Sequence, residues 1–422
     1  MNCRRSSLER SILWPCTTRY ETGTAIQYRT TTVGEPAANM NKREFTLLLY
    51  CARSHPDVGR IRGVVNEGVN WQTLVLLAQQ HGVRSMLLRS LKSACWDAIP
   101  HGTRLELERL NRANVQRNMF LTRELLRLID IFGQNAIPIA AFKGPLLAHS
   151  IYGDLSFREF CDVDVIVQPR DVLKAEDILA AYGYHADFPD RAFRNAFQGY
   201  QGQYAFRHCQ TGMSVDLHWR LSSKGVAFPL QSAEIWPRLE KVTISGRTVL
   251  TLAHDDLALF LAAHGTKEGW RSLIWVCDFA ELLRICQDID WLAIFDRAQR
   301  SHSSRPLLLA VALASTLLDA PAPMALLDRA QKDSAVRRLV DEAKLRMLRA
   351  VREEELAEFL NSLKTHDRLR HRLLPIATLL TTRTVSDYKA MPLPKSLWGL
   401  YYLTRPFRLA SKMVTMIHRK AP

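Results

Sequence analysis

The hydrophobic period of the chain changes twice, and this change constrains the fold more than any other feature. From residue 41 to about residue 135, apolar residues recur at helical spacing and end in a long amphipathic stretch. Between about residues 126 and 252 the pattern shortens to strand-like runs, and beyond residue 253 it is helical again. This order predicts an α+β fold, in which a small mixed β-sheet is flanked by N-terminal helices and a C-terminal helical domain.

Six short runs carry the strand signal, at residues 137–142, 162–168, 203–207, 214–219, 240–244 and 247–250. Ser245-Gly246 separates the last two runs, which is typical of a hairpin. Helices are predicted after the first and second runs. The first helix, 145–152, begins with a proline, and the second, 169–182, is followed by a glycine.

Composition and period divide the chain into five segments. Residues 1–39 are rich in Arg, Ser and Thr and lack the apolar core of a signal peptide. We expect them either to be disordered or to precede the real start of the protein, which would then be Met40. The other predicted segments are an N-terminal helical segment at 40–125, the mixed α/β core at 126–252, a helical domain at 253–390 and a basic amphipathic tail at 391–422.

The net charge of +15 is concentrated at the two ends of the chain. Residues 364–422 contain twelve basic and two acidic residues, whereas residues 44–363 are nearly neutral. A protein that binds nucleic acid through its main domain carries its basic excess there, so nucleic-acid binding is expected only through the tail. No apolar run reaches the roughly 18 residues that span a bilayer, so we expect no transmembrane segment.

Eight cysteines are scattered without a C-x-x-C pair or a Cys/His ligand spacing. This pattern predicts free thiols in a reducing compartment and argues against structural zinc. We therefore expect a cytoplasmic protein. We also expect it to be a monomer.

Paired aspartates are the strongest chemical signal, since the chain contains no Walker A, dinucleotide-binding, G-x-S-x-G or H-E-x-x-H motif. Asp162 and Asp164 lie two residues apart in a predicted strand and therefore share a face. Their repulsion would be relieved by a divalent cation. If the run containing Asp216 lies beside them, three carboxylates converge, which is a ligand set for Mg²⁺ or Mn²⁺.

Two observations compete with this interpretation. D-x-D also occurs at Asp288 and Asp290, where it precedes Trp291 and is expected to cap a helix. From their spacing alone, Asp162 and Asp164 are equally consistent with a strand end whose carboxylates are solvated.

A wider pattern surrounds the aspartates. The segment A-F-K-G-P-L-L-A-H-S-I-Y-G-D-L-S-F-R-E-F-C-D-V-D-V-I-V at 141–167, with V-D-L-H-W at 215–219, resembles the bacterial uncharacterised nucleotidyltransferase family of the DNA polymerase β-like superfamily. The similarity extends over about residues 44–410. Lys143-Gly144 resembles that family's version of the superfamily's glycine-serine loop, whose backbone approaches the triphosphate.

This resemblance implies a metal-dependent nucleotidyltransferase with a nucleotidyltransferase core at 126–252. Such an enzyme would move a nucleoside monophosphate from an NTP to a hydroxyl of an unknown acceptor and release pyrophosphate. The predicted catalytic and metal-binding residues are Asp162, Asp164 and Asp216. The predicted nucleotide-binding residues are Lys143, Gly144, Arg158 and His218. Two alternatives stay open: phosphoryl transfer at the same site, and a catalytically silent protein that binds a nucleotide or a partner.

Several of these side chains have a structural alternative. Lys143 is either a phosphate ligand or a surface lysine, and Arg158 pairs either with a triphosphate or, as a structural ion pair, with the aspartates. His218 could orient the acceptor, relay a proton, or be a buried hydrogen-bonded histidine. His264 and Lys267 lie three residues apart on one helical face and could reach the cleft.

The tail alternates aromatic and basic residues. We expect its aromatics to dock on the helical domain with the basic residues outward, because Pro392, Pro394 and Pro406 should break the stretch into short pieces. The competing partner is an anionic surface such as a membrane or RNA.

Overall fold

The computed structural model describes residues 42–349, apart from 189, 199–200, 223–227, 229 and 231, together with residues 363–365, 373, 376–377, 380 and 385–420. The predictions for residues 1–39 lie outside the described residues. Within them, helices surround one seven-stranded mixed sheet. The predicted α+β fold class is therefore confirmed.

Seventeen α-helices lie in the described residues. They are α1 Lys42–Cys51, α2 Val58–Asn66, α3 Trp71–His81, α4 Arg84–Cys95, α5 His101–Gln134, α6 Pro145–Tyr152, α7 Val172–Ala181, α8 Arg191–Phe197, α9 Ser232–Ile235, α10 His254–Lys267, α11 Leu273–Ile285, α12 Trp291–Arg300, α13 Ser304–Leu318, α14 Met324–Lys332, α15 Ser334–Arg349, α16 Val385–Ala390 and α17 Tyr401–Lys420. Short 3₁₀ helices occupy Trp96–Ala98, Pro169–Asp171, Trp236–Arg238 and Lys395–Leu400.

The strands are β1 Ala140–Ala141, β2 Val163–Ile166, β3 Tyr184–Ala186, β4 Gln203–His208, β5 Ser214–His218, β6 Glu240–Ile244 and β7 Arg247–Thr251. Their order across the sheet is β3-β4-β5-β2-β1-β7-β6. The pairs β2/β5 and β1/β7 are parallel, and the other neighbours are antiparallel. All six predicted runs contain a strand. Neither β3 nor α8 was predicted.

Alternation along β2 and β5 decides what each face of the sheet carries. Val163 and Val165 of β2, and Val215 and Leu217 of β5, belong to a core that α5 and α7 cover. Because side chains of a strand point alternately to opposite faces, the residues between these valines and leucines face the other side. The polar residues of both strands therefore share the face that is opposite α5 and α7.

A second, larger core joins the helices that precede the sheet to the helices that follow it. It contains buried residues from α1–α4 and from α10–α15 together, so the N-terminal and C-terminal helices pack against each other. His81, at the end of α3, marks this junction. The backbone N–H of Leu273, the first residue of α11, donates to its Nδ1 at 3.2 Å, and Ser272 Oγ donates to its carbonyl at 3.1 Å.

The buried His81 gives stability a pH dependence. Burial lowers its pKa from 6.5 to about 4, so the folded protein keeps the ring neutral while the unfolded chain binds a proton below about pH 6.5. The free energy of unfolding should therefore fall as pH decreases from about 6.5 to 4, by roughly 3 kcal/mol from this residue. Urea melts of wild type and His81→Gln across this range should give curves that converge toward low pH. Parallel curves would contradict the assignment.

The tail docks in a different way from the one predicted. Trp398 and Tyr401 are buried in a cluster with Phe193 of α8 and Tyr388 of α16, so the tail contacts the predicted core as well as the predicted helical domain. The expectation that its basic residues point outward is wrong at Arg405, which is buried against Asp387. α17 also continues through Pro406 instead of breaking there. The tail aromatics pack here because they form a small apolar cluster with Phe188 and Phe193, and only the tertiary structure brings these residues together.

Two other expectations can be compared with the structure. None of the helices in the described ranges is long and apolar enough to cross a membrane. Five described cysteines are free thiols, but Cys161 is disulfide-bonded. The prediction of free thiols throughout is wrong at that position, because sequence spacing does not show which sulfurs meet in space.

Candidate metal and nucleotide site

Two aspartates face each other at the centre of the sheet. Asp164 of β2 pairs in register with Asp216 of β5, and these two strands are parallel neighbours. Residues that are directly opposite on adjacent strands point to the same face, so both carboxylates lie on the face away from α5 and α7. Asp164 is buried and Asp216 is half-buried. The expectation that the two strands lie side by side is confirmed.

His218 joins the aspartates because it lies two residues beyond Asp216 on the same strand. Its Nε2 lies 3.0 Å from Asp164 Oδ1, and the ring packs edge-on against Phe142. One ligand atom each from Asp164, Asp216 and His218 lies within 4.8 Å of the others, which suits a shared metal ion. Among the described residues, Nδ1 of His218 has no hydrogen-bond partner.

Lys143 reaches the same carboxylate from the loop between β1 and α6. Its Nζ lies 3.5 Å from Asp164 Oδ1 and 5.3 Å from the centre of the Phe260 ring. The next residue, Gly144, has φ 53°, and a Cβ there would lie 3.2 Å from the carbonyl oxygen of Asp162. Glycine is therefore required for this loop to pass close to the start of β2.

Electrostatics favour a charged Asp164 beside a neutral His218. Burial alone would raise the pKa of Asp164, but the Lys143 ammonium and the hydrogen bond with His218 hold it well below its usual range. Burial lowers the pKa of His218 despite its contact with Asp164. A neutral imidazole that donates through Nε2 leaves the lone pair of Nδ1 for another ligand.

Arg158 contacts a carboxylate that the sequence did not single out. Its Nε and Nη2 each lie 2.9 Å from an oxygen of Asp278 on α11, and Tyr152 Oη donates to Asp278 Oδ1 at 2.9 Å. Burial opposes the charge of Arg158, but the charge of Asp278 raises its pKa above the ordinary value. Arg158 forms its ion pair with Asp278 and not with the aspartates that the sequence suggested, and this pair links the loop before β2 to the helical domain.

Asp162 lies one residue before β2 and is half-buried. Its carboxylate is not part of the group whose ligand atoms lie within 4.8 Å. The loop that precedes it is held by α5, where Arg117 Nε donates to the carbonyl of Phe160 at 2.8 Å and Asn118 Nδ2 donates to that of Arg158 at 2.8 Å. These bonds satisfy carbonyls that the loop cannot pair by itself.

Helix α10 forms the wall opposite the sheet. Phe260 packs edge-on against Phe142 and stacks on His264, with ring centroids 5.6 Å apart in the stacked pair. Burial, with the charges of Lys143 and Lys267, lowers the pKa of His264 well below 6.5. His264 therefore lies near the site as an uncharged group, while Lys267 is exposed at the end of the helix.

Three further residues lie at or beside the site, and sequence reasoning predicted a site role for none of them. Gln203 Nε2 donates to Asp216 Oδ2 at 3.0 Å, Phe260 lies under Lys143, and Asp278 holds Arg158. All three lie within the range that the resemblance covered, but only Asp278 is part of the family pattern itself. No local pattern distinguishes Gln203 or Phe260 from an ordinary strand or core residue.

Comparison with protein families agrees with this geometry. The model of the family described as uncharacterised nucleotidyltransferase matches residues 67–319, which is more than half of the chain. The chain belongs to this family. A search of curated proteins gave no match, and a search of solved structures gave none.

The matched range contains both walls of the site. It includes the whole sheet and helices α10–α13, and it ends before the tail. Both walls of the site therefore lie within the range that matches the uncharacterised nucleotidyltransferase family, and α17 lies outside that range.

Proposed function

We propose that this protein is a metal-dependent nucleotidyltransferase that transfers a nucleoside monophosphate from an NTP to a hydroxyl of an acceptor. The observation that carries the proposal is the in-register pair Asp164 and Asp216, with His218 and Lys143 beside it. Carboxylates converging on one sheet face are the ligand set of metal-assisted phosphorus chemistry. The related DNA polymerase β-like superfamily uses the same arrangement, as the sequence resemblance implies. An NTP donor is consistent with a cytoplasmic reaction.

The residues present fit a divalent cation. Asp164 and Asp216 supply oxygen donors, and His218 supplies one ring nitrogen within 4.8 Å of these oxygens. Mg²⁺ prefers oxygen ligands, and Mn²⁺ accepts imidazole more readily, so both ions are candidates. Asp162 stays a predicted ligand at the start of β2. A bound ion would neutralise charge on the phosphates and on the attacking oxygen.

Each protein group then has a role of its own. Lys143 would bind phosphate oxygens, and Gly144 would let the loop backbone approach them. Asp216, which is the more exposed carboxylate, would orient the acceptor hydroxyl and take its proton. His218 would keep Asp164 oriented through the 3.0 Å contact. Arg158 would act at a distance, by fixing the loop against α11.

Labelled nucleotides test this proposal against its alternatives. The purified full-length chain would be incubated with a metabolite extract, Mg²⁺ or Mn²⁺, and each NTP carrying label at either the α- or the γ-phosphate. Label transferred from the α-position only supports nucleotidyl transfer, and the reaction should stop with EDTA and resume with added metal. Transfer from the γ-position only indicates phosphoryl transfer. Nucleotide binding without any transfer indicates a silent binding protein.

Lys143→Met separates a phosphate ligand from a structural lysine. A charge-assisted hydrogen bond contributes about 1.5 to 3 kcal/mol, so KM for the NTP should rise by roughly ten- to a hundredfold. Steady-state kinetics would measure this change, with Lys174→Met, an exposed lysine of α7, as the matched control. An unchanged KM together with a lower melting temperature would mean that Lys143 only neutralises Asp164.

A further inference from the structure

Helix α17 has an unusual orientation on the protein. Arg405 on this helix is only 4% exposed and pairs with Asp387 of α16, and Arg408 Nε donates to the same carboxylate at 2.9 Å. Tyr401 is buried on the same side. The helix therefore turns basic residues toward the protein body.

Its apolar side faces solvent. Leu403 is 66% exposed and Phe407 is 78% exposed, the latter being the highest value among the large apolar residues of the described chain. They lie four residues apart and so share one helix face. At helical spacing the sequence continues this row with Ala410, Val414 and Ile417. We call the exposed pair Leu403 and Phe407 the outer row.

Charge distinguishes between the possible occupants of the outer row. Residues 364–422 contain twelve basic and two acidic residues, and Asp387, one of the two acidic ones, is already occupied by Arg405 and Arg408. A second copy of the chain would bring the same positive charge against itself. An anionic surface with an apolar layer beneath it complements both the charge and the outer row.

We propose that α17 docks in the plane of an anionic lipid surface. Leu403 and Phe407 enter the boundary between headgroups and acyl chains, and the protein body lies on the opposite side of the helix, above the headgroups. Lys412, Arg419 and Lys420, which follow the Asp387 contacts in the sequence, add positive charge that attracts an anionic surface. The helix lies on the membrane and does not cross it, because only one of its sides is apolar.

Sedimentation with vesicles tests this docking on the full-length chain. Binding is expected to vesicles of mixed phosphatidylglycerol and phosphatidylcholine, and it should weaken in high salt and be lost with phosphatidylcholine alone. Leu403→Ser and Phe407→Ser should each lower the partition coefficient about tenfold or more. Replacing Lys412, Arg419 and Lys420 by Gln should lower it about fivefold for each charge removed.

Two matched variants control for general loss of surface apolarity. Met119→Ser on α5 and Met324→Ser on α14 remove side chains that are 63% and 72% exposed, and they should bind vesicles like wild type. The Leu403, Phe407, Met119 and Met324 variants should keep the wild-type melting temperature, since these four side chains are exposed. Vesicle binding that is equal for wild type and Leu403→Ser/Phe407→Ser would overturn the proposal. So would a dimer in light scattering that becomes monomeric in that double variant, or salt-sensitive binding to RNA without binding to vesicles.

Discussion

Asp164→Asn is expected to abolish nucleotidyl transfer, with kcat lowered roughly a thousandfold or more. A bound metal ion contributes several kcal/mol of charge stabilisation in the transition state, and neutral asparagine is a poor ligand for it. Asp164 is the central group of the site, since it pairs in register with Asp216 and contacts both His218 and Lys143. The α-labelled NTP assay measures the loss of turnover.

Stability should change far less than activity in this variant. Asparagine keeps an oxygen that accepts from His218, but Lys143 loses its buried counter-charge, so a loss of about 2 kcal/mol is expected from urea melts. The second D-x-D supplies the control. Asp290 accepts from the backbone N–H groups of Leu292 and Ala293 and caps α12, as predicted. Asp290→Asn keeps this capping ability and should leave activity unchanged. Substantial residual activity in Asp164→Asn would make Asp164 a structural residue.

Asp278→Leu is expected to give the largest loss of stability, about 3 to 5 kcal/mol in the free energy of unfolding. It leaves the buried Arg158 guanidinium without the carboxylate that accepts two of its hydrogen bonds, and Tyr152 loses its acceptor as well. Urea denaturation of the full-length chain measures the change. The double variant Arg158→Met/Asp278→Leu should regain most of the loss, because neither charge then remains buried alone.

The same double variant tests the role of Arg158. If Arg158 only joins the loop before β2 to α11, the double variant should bind NTP with an affinity close to that of wild type. A restored melting temperature with strongly weakened NTP binding would show instead that the guanidinium contacts the nucleotide. A double variant as unstable as Asp278→Leu would contradict the interpretation of the pair as a simple buried ion pair.

Local patterns predicted several elements well. Predicted helix 145–152 is α6, and the run 240–244 is β6. β2 could be predicted because Val163 and Val165 alternate with more polar positions. β3 could not, because Tyr184–Ala186 has only three residues and depends on pairing with β4, which lies almost twenty residues downstream. Over so short a segment, the strand propensity of the residues is a weaker signal than their pairing with a neighbouring strand.

The candidate site was predictable only in part. The aspartates and Lys143 could be named from their spacing and from the family pattern, but Gln203 and Phe260 could not. A glutamine in an antiparallel strand or a phenylalanine in a helix has many local explanations. What makes them site residues is a contact made across the sheet, or between the sheet and α10, and such contacts leave no trace in neighbouring residues.

The sequence by itself determined the order of helices and strands, the face of β2 that carries carboxylates and the concentration of basic residues in the tail. These are properties of consecutive residues, and hydrophobic periodicity records them directly. The tertiary structure alone decided that His218 contacts Asp164, that Arg158 pairs with Asp278 and that Leu403 and Phe407 of α17 face outward. The first two contacts join residues 54 and 120 positions apart, and the third depends on a cluster around Phe193. Such contacts form only when separate elements pack against each other, because burial and ion pairing act between surfaces that the chain brings together as it folds.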